Sequence, residues 1–524
     1  MKTLNLNYPF RQSCKLPIAA IAFITLATIL PAQSTPESRA TQSLEAARQN
    51  PLALRTWLYK MPKGADLHIH LTGAIYAESF IGAAAEDNLC IDTTKLSFAA
   101  ANATTDSVTK PGCGEGKVPA THALEDQHLY DALVDSFSMR SFVPTTGESA
   151  HDHFFDTFSK FGGTAQRHKG EWLDEVATRA ASQNEQYLEI METPEFRHTI
   201  ELSRTIPWNE DFAKMRDALL NQGLRKDVTV ARTFFDQAES VRKEREHCGQ
   251  PEATPACTVE IRYLYQVLRG FPKEQVFSQA LLGFEVASAD PRVVGINFVM
   301  PEDGCVSMTD YALQMKMVAY LHATYPKIHI SLHAGELAPG LVPYEGLCCH
   351  IRQAVEVAQA ERIGHGTDVM YENNPHELLK EMAAKHIMVE INLTSNDVIL
   401  GISGKNHPFP IYRQFKVPVA LSTDDEGVSR IDLTHEYVRA VETYGLSYPD
   451  LKQMVRTGIE HSFLPGESLW RAQDNFKQAN AECSGDTLGG EKPTMRCAAF
   501  LKSSEKAQQQ WELEQRFRKF EATF

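Results

Sequence analysis

"MPKGADLHIHLTGA" (residues 61–74) sets His68 and His70 two residues apart in an apolar run, with Gly73 close behind. Side chains alternate across a strand, so both imidazoles share one face and Ile69 takes the other. In a parallel barrel that face is the lumen, near the C-terminal strand ends where active sites form. Gly73 would let the chain turn at once. Seven further short apolar runs read as strands: "QYLEIME" (186–192), "VEIRYLYQVL" (259–268), "VVGINFVM" (293–300), "IHISLHA" (328–334), "RIGHGTD" (362–368), "IMVEINL" (387–393) and "VPVALSTDD" (417–425). Helical patterns separate most of them, such as "MTDYALQMKMVAYLHATY" (308–325) and "NPHELLKEMAAKH" (374–386). Eight strands with helical crossovers predict an α/β fold, a (β/α)8 TIM barrel with an insertion after the first strand and extra helices. A doubly wound open sheet shares the same periodicity.

Around this barrel, at residues 61–470, the chain carries several additions. Residues 1–33 have the order of a secretory signal peptide: Lys2, Arg11 and Lys15, then the uncharged "LPIAAIAFITLATIL" (16–30), then small polar residues. That run is shorter than the roughly 18 residues of a spanning helix, so an uncleaved anchor is the lesser alternative. Residues 34–60 read as an N-terminal helical segment. Residues 91–170 are too long for one crossover helix and read as a disulfide-pinned loop followed by helices, and 235–258 as a smaller insertion. Residues 471–524 form a C-terminal helical extension ending in the polar "SSEKAQQQWELEQRFRKF", expected as a solvated cap.

An exported chain meets an oxidising compartment, periplasmic or secreted. Cys14 leaves with the signal, so nine of the 10 cysteines remain and at least one lacks an intrachain partner. Cys90 with Cys113, Cys248 with Cys257, and Cys483 with Cys497 are close enough in sequence to close short loops. The net charge of -15 argues against nucleic acid as a partner, since phosphate binding needs a basic surface. No membrane contact is expected once the signal is removed, and the sequence allows a homodimer without requiring one.

Three other strand ends add chemistry to His68 and His70. "SLHAGE" brings His333 and Glu336, "RIGHGTD" brings His365 between two glycines, and "LSTDDEG" brings Asp424 and Asp425. Three imidazoles and a carboxylate suit zinc, a borderline metal, and a second carboxylate beside them can act without coordinating.

"MPKGADLHIHLTGA", "SLHAGE", "RIGHG" and "LSTDDEG", in this order and spacing, resemble the signature motifs of the adenosine deaminase family of metal-dependent amidohydrolases. The resemblance covers roughly residues 58 to 465. A secreted chain with an insertion after the first strand is most similar to the growth-factor branch of that family, although only about 27 residues lie between the signal and "MPKG", too few for that branch's dimerising segment. The resemblance implies that His68, His70, His333 and Asp424 bind one zinc ion per subunit, which supplies activated water. It implies that Glu336 protonates the purine ring nitrogen beside the amino-bearing carbon, which requires a raised pKa. His365 would take or steer the water's proton. Asp425 would align the nucleophile and bond the purine. Glu390 and Asn396 match positions that shape the site.

Three positions depart from the family pattern. Thr72 stands where an acid commonly bonds a ribose hydroxyl. Met300 stands where a glycine offers its N–H to the purine, and Glu426 replaces a proline. Thr72, Met300 and Asp425 are therefore the expected substrate contacts. The expected reaction is zinc-dependent hydrolysis of adenosine, and with it 2'-deoxyadenosine, to the inosine product and ammonia. The same chemistry on another aminopurine nucleoside is one alternative, and an extracellular binding or signalling module with incidental activity is another. A phosphorylated substrate such as AMP is disfavoured, because no basic cluster adjoins the motifs.

Overall fold

The computed structural model describes residues 35–101, 112–164 and 166–524, so the expected signal peptide lies outside the described residues. Eight parallel strands form one sheet: β1 (Gly64–His70), β2 (Glu185–Glu192), β3 (Glu260–Leu268), β4 (Val293–Val299), β5 (His329–Ala334), β6 (Arg362–His365), β7 (Met388–Ile391) and β8 (Val419–Leu421). Each pairs with its successor in chain order. The sheet then closes: the backbone N–H of His70 donates to the Asp424 carbonyl at 3.2 Å, and that of Asp424 to the His68 carbonyl at 2.8 Å. Closure rules out the open-sheet alternative and makes the fold a (β/α)8 barrel. All eight strands fall on the runs read from the sequence.

The crossover helices bury the strands from outside. Lys273–Ala289 between β3 and β4 is buried over most of its length, from Gln275 to Ala287, which is why its sequence shows no polar face. Ahead of β1, helices Pro36–Ala47 and Pro51–Lys60 precede the barrel. The second begins at Asn50, whose side chain accepts from the N–H groups of Leu52 and Ala53, with Pro51 at the first helical position. It ends on Lys63, whose Nζ donates to the carbonyls of Leu58 (2.7 Å), Met61 (3.1 Å) and Gln183 (2.6 Å). The lysine of "MPKG" thus fastens a helix end to the start of β1.

The insertion after β1 is more structured than the expected loop. Cys90–Asp92 pairs antiparallel with both Ser97–Ala99 and Lys117–Pro119, and Cys90 is bonded to Cys113. Helices Gln127–Ser136 and Ala150–Lys160 follow. The smaller insertion is shorter than expected: Arg225–Arg245 is one continuous helix, and only the loop closed by Cys248–Cys257 projects. The Cys483–Cys497 bond is also present, Cys348 is bonded to Cys349, and Cys305 is free and exposed.

The C-terminal extension is not a solvated cap. It begins with a hairpin, Trp470–Ala472 against Asn475–Ala479. Its last helix, Glu505–Glu521, buries Trp511, Leu513, Phe517 and Phe520, and Phe520 meets Trp57 edge-on with ring centroids 4.9 Å apart. Among the described residues no helix is long and apolar enough to cross a membrane.

Candidate active site

The strand ends bring the predicted chemistry together. His68 and His70 leave β1, His333 leaves β5, His365 leaves β6, and Asp424 and Asp425 follow β8. His70 Nε2 lies 3.2 Å from Asp424 Oδ1 and 3.3 Å from His333 Nε2, and His68 Nε2 lies 3.4 Å from Asp424 Oδ1. His365 Nε2 is 3.9 Å from Asp424 Oδ2. His68, His333, His365 and Asp424 offer ligand atoms all within 4.8 Å of one another.

The rings' other nitrogens decide what faces this cluster. His68 Nδ1 lies 2.6 Å from Glu390 Oε2, His70 Nδ1 2.7 Å from Gln266 Oε1, and His333 Nδ1 2.7 Å from Asn297 Oδ1. The amide orientations are fixed by their own partners. The backbone N–H of His333 donates to the same Asn297 oxygen at 3.2 Å, and Gln266 Nε2 donates to Thr193 Oγ1 at 3.1 Å, which itself donates to a carbonyl. All three Nδ1 atoms therefore donate, so in the neutral rings it is the Nε2 lone pairs that converge on the Asp424 carboxylate. His68 Nε2 is buried without any hydrogen-bond partner. This donor set, with each outer nitrogen held by its own partner, fits a divalent metal ion with nitrogen and oxygen ligands.

Gln266 and Asn297 were not singled out in the sequence. Their signal was available: each is a lone amide inside an apolar strand run, "YLYQVL" and "GINFVM". Beneath them, Glu390 continues the network through Arg362 (2.7 Å), which also pairs with Glu189 (2.7 Å), all fully buried. Ser395 donates to Asp424 Oδ2 at 2.6 Å.

The chain turns at Gly73 as expected, with the Ala74 N–H donating to the His70 carbonyl at 2.8 Å, and the glycines have a second use. A Cβ on Gly73 would sit 1.5 Å from Asp425 Oδ1, so Gly73 makes room for that carboxylate. The glycines flanking His365 make room for other side chains: a Cβ on Gly364 would strike the His68 ring at 2.5 Å, and one on Gly366 the Tyr412 hydroxyl at 2.4 Å. His365 and Asp424 hold φ of +68° and +63°, a conformation that costs an ordinary residue on the order of 1–2 kcal/mol.

Burial, then the charges of Asp424 and Glu302, push the Glu336 carboxyl well above the usual carboxylate range. Burial and the Asp424 carboxylate push Asp425 up to about 7. Glu302 does the opposite. Burial would raise it, but its bond to His350, the charges of His350 and Arg269 and the Gly335 N–H outweigh burial and hold it near about 2. Its oxygens accept from the backbone of Gly335 (2.9 Å) and Glu336 (2.7 Å), which fixes the loop that presents Glu336.

These groups sit at the base of a cavity of about 420 Å³. Its polar lining is confined to His70, Gln266, His333, Glu336, Asp424 and Asp425, and Phe154, Phe155 and Phe158 from the insertion close the other side with Leu268, Met300 and Ile399. Met300 takes a φ of +88°, the conformation that suits a glycine. Thr72 does not line the cavity. Its hydroxyl accepts from Lys169 Nζ at 2.9 Å, and that ammonium pairs with buried Glu192 at 3.0 Å. A cation therefore does stand beside the first motif, but its charge is already matched. Glu426 pairs with Arg179 at 2.7 Å.

The family model described as adenosine deaminase matches residues 173–478, more than half of the chain. The chain belongs to the adenosine deaminase family. A curated adenosine deaminase from Vibrio atlanticus is 23% identical over 418 residues, 78% of this chain and 95% of that protein. The Arabidopsis ADAL structure complexed with GMP superposes with a TM-score of 0.51 at 21% identity, covering 78% of this chain and 94% of that one. An amidohydrolase from Burkholderia ambifaria with bound Zn gives 0.51 at 17% identity, covering 79% and 88%. Structural likeness at these identities carries the fold, and adenosine deaminase family membership makes the chain a deaminating hydrolase. The likeness to the growth-factor branch in particular has no counterpart among these relatives.

Proposed function

We propose that this family member is a zinc-dependent deaminase of adenosine, and of 2'-deoxyadenosine, working outside the cytoplasm. The observation that carries the reading is the convergence of three imidazole Nε2 atoms, each ring held by its Nδ1, on Asp424. His68, His70, His333 and Asp424 would hold the zinc, which supplies a Lewis acid able to lower the pKa of water to roughly 7.

The remaining residues divide the proton work. Glu336, kept neutral by burial and neighbouring carboxylates, delivers a proton to the ring nitrogen beside the amino-bearing carbon and makes that carbon electrophilic. Asp425 sits in the cavity with a buried oxygen free of partners, placed to accept the nucleophile's proton. His365 faces the same point. Addition of water and loss of ammonia convert the aminopurine to its oxo form.

The cavity supports an uncharged substrate. Beyond the reacting end its wall is apolar, and its cationic neighbour Lys169 is neutralised by Glu192, so a phosphate would lack a partner. The same apolar wall favours a second reading, in which a less hydroxylated aminopurine nucleoside is the better substrate. Disulfides in three separate loops support export.

Expression of the chain without residues 1–33, loading with zinc, and monitoring of the adenosine absorbance band tests the reading. Conversion of adenosine with inosine as product is expected. Folded, zinc-loaded protein that leaves adenosine, 2'-deoxyadenosine and related nucleosides untouched would overturn it, and strong preference for AMP would overturn the uncharged-substrate argument. Cell fractionation and N-terminal sequencing check export.

A further inference from the structure

His365 can play two incompatible parts in this site. With a bare Nε2 it would be one more ligand, since that atom lies among the ligand atoms of His68, His333 and Asp424. With a proton on Nε2 it cannot coordinate and instead donates a hydrogen bond into the site. The heavy-atom positions around the metal do not choose between these states. A chain of hydrogen bonds leading away from the site does.

The chain starts at a group with no freedom. The backbone N–H of Phe409 can only donate, and its partner is His407 Nδ1 at 3.0 Å. Nδ1 of His407 therefore carries no proton. Burial and the nearby Arg439 guanidinium hold this ring neutral, with a pKa near about 3, so its one proton sits on Nε2. That nitrogen lies 3.0 Å from the side-chain oxygen of Asn396 and donates to it. The Asn396 amide is thereby oriented, and its Nδ2 faces His365 Nδ1 at 2.9 Å as a donor. The Asn392 amide nitrogen approaches the same atom at 3.4 Å. Glu336 Oε1 is 3.6 Å away, beyond hydrogen-bond reach of that nitrogen. His365 Nδ1 is an acceptor, and the proton of the neutral ring lies on Nε2, which is buried without a partner of its own. His365, Asn396 and His407 are all buried to within 2%, so water cannot substitute for a missing link.

We infer that His407 is a positioning residue: acting through Asn396, it fixes the tautomer of His365, keeping that imidazole out of the metal's ligand set and turning it into a donor toward the attacking oxygen. His365 then stabilises the nucleophile and does not take its proton, which leaves Asp425 as the acceptor. The loop between helix Leu393–Leu400 and helix Phe409–Phe415 exists in this form to return His407 beneath Asn396. Gly401 and Gly404, with φ of +65° and +57°, make that return possible.

This inference rests on the deaminase reading for its catalytic consequence but not for its coordination consequence, and the two are tested separately. Asn396→Asp keeps the shape of the side chain and replaces the amide by an acceptor-only carboxylate. It should draw the proton of His365 to Nδ1 and bare Nε2. In protein loaded with cobalt(II) instead of zinc, the visible d–d spectrum should change in Asn396→Asp as a nitrogen ligand is added, and should match the parent in His407→Gln, whose amide can still donate to Asn396. In the zinc protein, kcat should fall by roughly 10²–10⁴ in Asn396→Asp and in His407→Leu with KM changed much less, and His407→Gln should recover most of it. Thermal unfolding and metal content are measured alongside, so a misfolded His407→Leu is recognised and Asn396→Asp decides. An unchanged cobalt spectrum together with retained kcat in Asn396→Asp would overturn the inference. A parent protein inactive on every nucleoside would overturn the deaminase reading alone, because the cobalt comparison needs no substrate.

Discussion

Gly73 and Asp425 are 352 positions apart and cannot be understood separately, because the carboxylate oxygen occupies the space a Cβ would take. Gly73→Ala should therefore displace Asp425 and lower kcat by an order of magnitude or more while metal content stays unchanged, measured by metal analysis beside turnover. Glu336→Gln keeps the shape but has no acidic proton, and should lower kcat by roughly 10²–10⁴ with nucleoside binding retained. On the proposed mechanism, activity depends on the protonated form of Glu336, whose pKa is raised. The alkaline limb of the kcat profile should therefore fall as pH rises through that raised value, and an alkaline limb unchanged in Glu336→Asp would contradict it. Met300 shows what a residue-level departure costs. Its positive φ is a strain that glycine lacks, so Met300→Gly should stay within about 1 kcal/mol of the parent in urea unfolding while admitting bulkier purines.

At the scale of elements, the additions to the barrel are working parts of it. Helix Ala150–Lys160 supplies Phe154, Phe155 and Phe158 to the cavity wall, far in sequence from any motif. Lining the cavity away from the reacting end, these aromatics would contact a bound nucleoside equally before and during reaction, so Phe155→Ala should raise KM with little change in kcat. The last helix reads as polar because its charges are frequent, yet Phe517 and Phe520 recur on one face and are buried. Phe517→Ala should destabilise the protein by about 3–5 kcal/mol in chemical unfolding, the usual range for a buried phenylalanine. A loss below 1 kcal/mol would restore the solvated-cap reading. The sequence revealed the eight strands because a barrel strand buried on both faces is a continuous apolar run. It concealed the packing of the insertion and the tail because amphipathic helices look alike whether their partner is near or distant in the chain.

For the whole molecule, the proposed cation, held only by the folded state, would link the site to stability. Chelation should lower the melting temperature, and zinc should restore it in proportion to the logarithm of its free concentration. An ionisation outside the donor cluster ties stability to pH. Burial pushes Glu436 up to about 7, against 4.5 for an unperturbed glutamate, although it accepts from the Thr394 N–H at 3.2 Å. The folded state keeps this proton where the unfolded chain has released it, so its contribution is complete below pH 4.5 and is lost as pH rises to about 7. Glu436→Gln should gain stability relative to the parent across that window, by up to about 1.4 kcal/mol per pH unit. Equal pH dependence in the two proteins would remove Glu436 from the account.

The sequence by itself determined the eight strands in chain order and the identities of the residues at their C-terminal ends, because short apolar runs and the ends of strands are local properties of the chain; that those strands close into a barrel was decided by the hydrogen bonds between His68, His70 and Asp424. It also offered three of the disulfide couples as candidates, because their loops are short, and the structure added Cys348 with Cys349. Only the tertiary structure decided which nitrogen of each imidazole faces the centre, since that depends on Glu390, Gln266, Asn297 and the path from Phe409 through His407 to Asn396. It alone showed that Gly73 yields to Asp425, that Gly364 yields to His68, and that Lys169 is neutralised beside Thr72. Hydrogen-bond direction and mutual exclusion of volume are relations between groups brought together by closure of the barrel, and neither leaves a periodic trace along the chain.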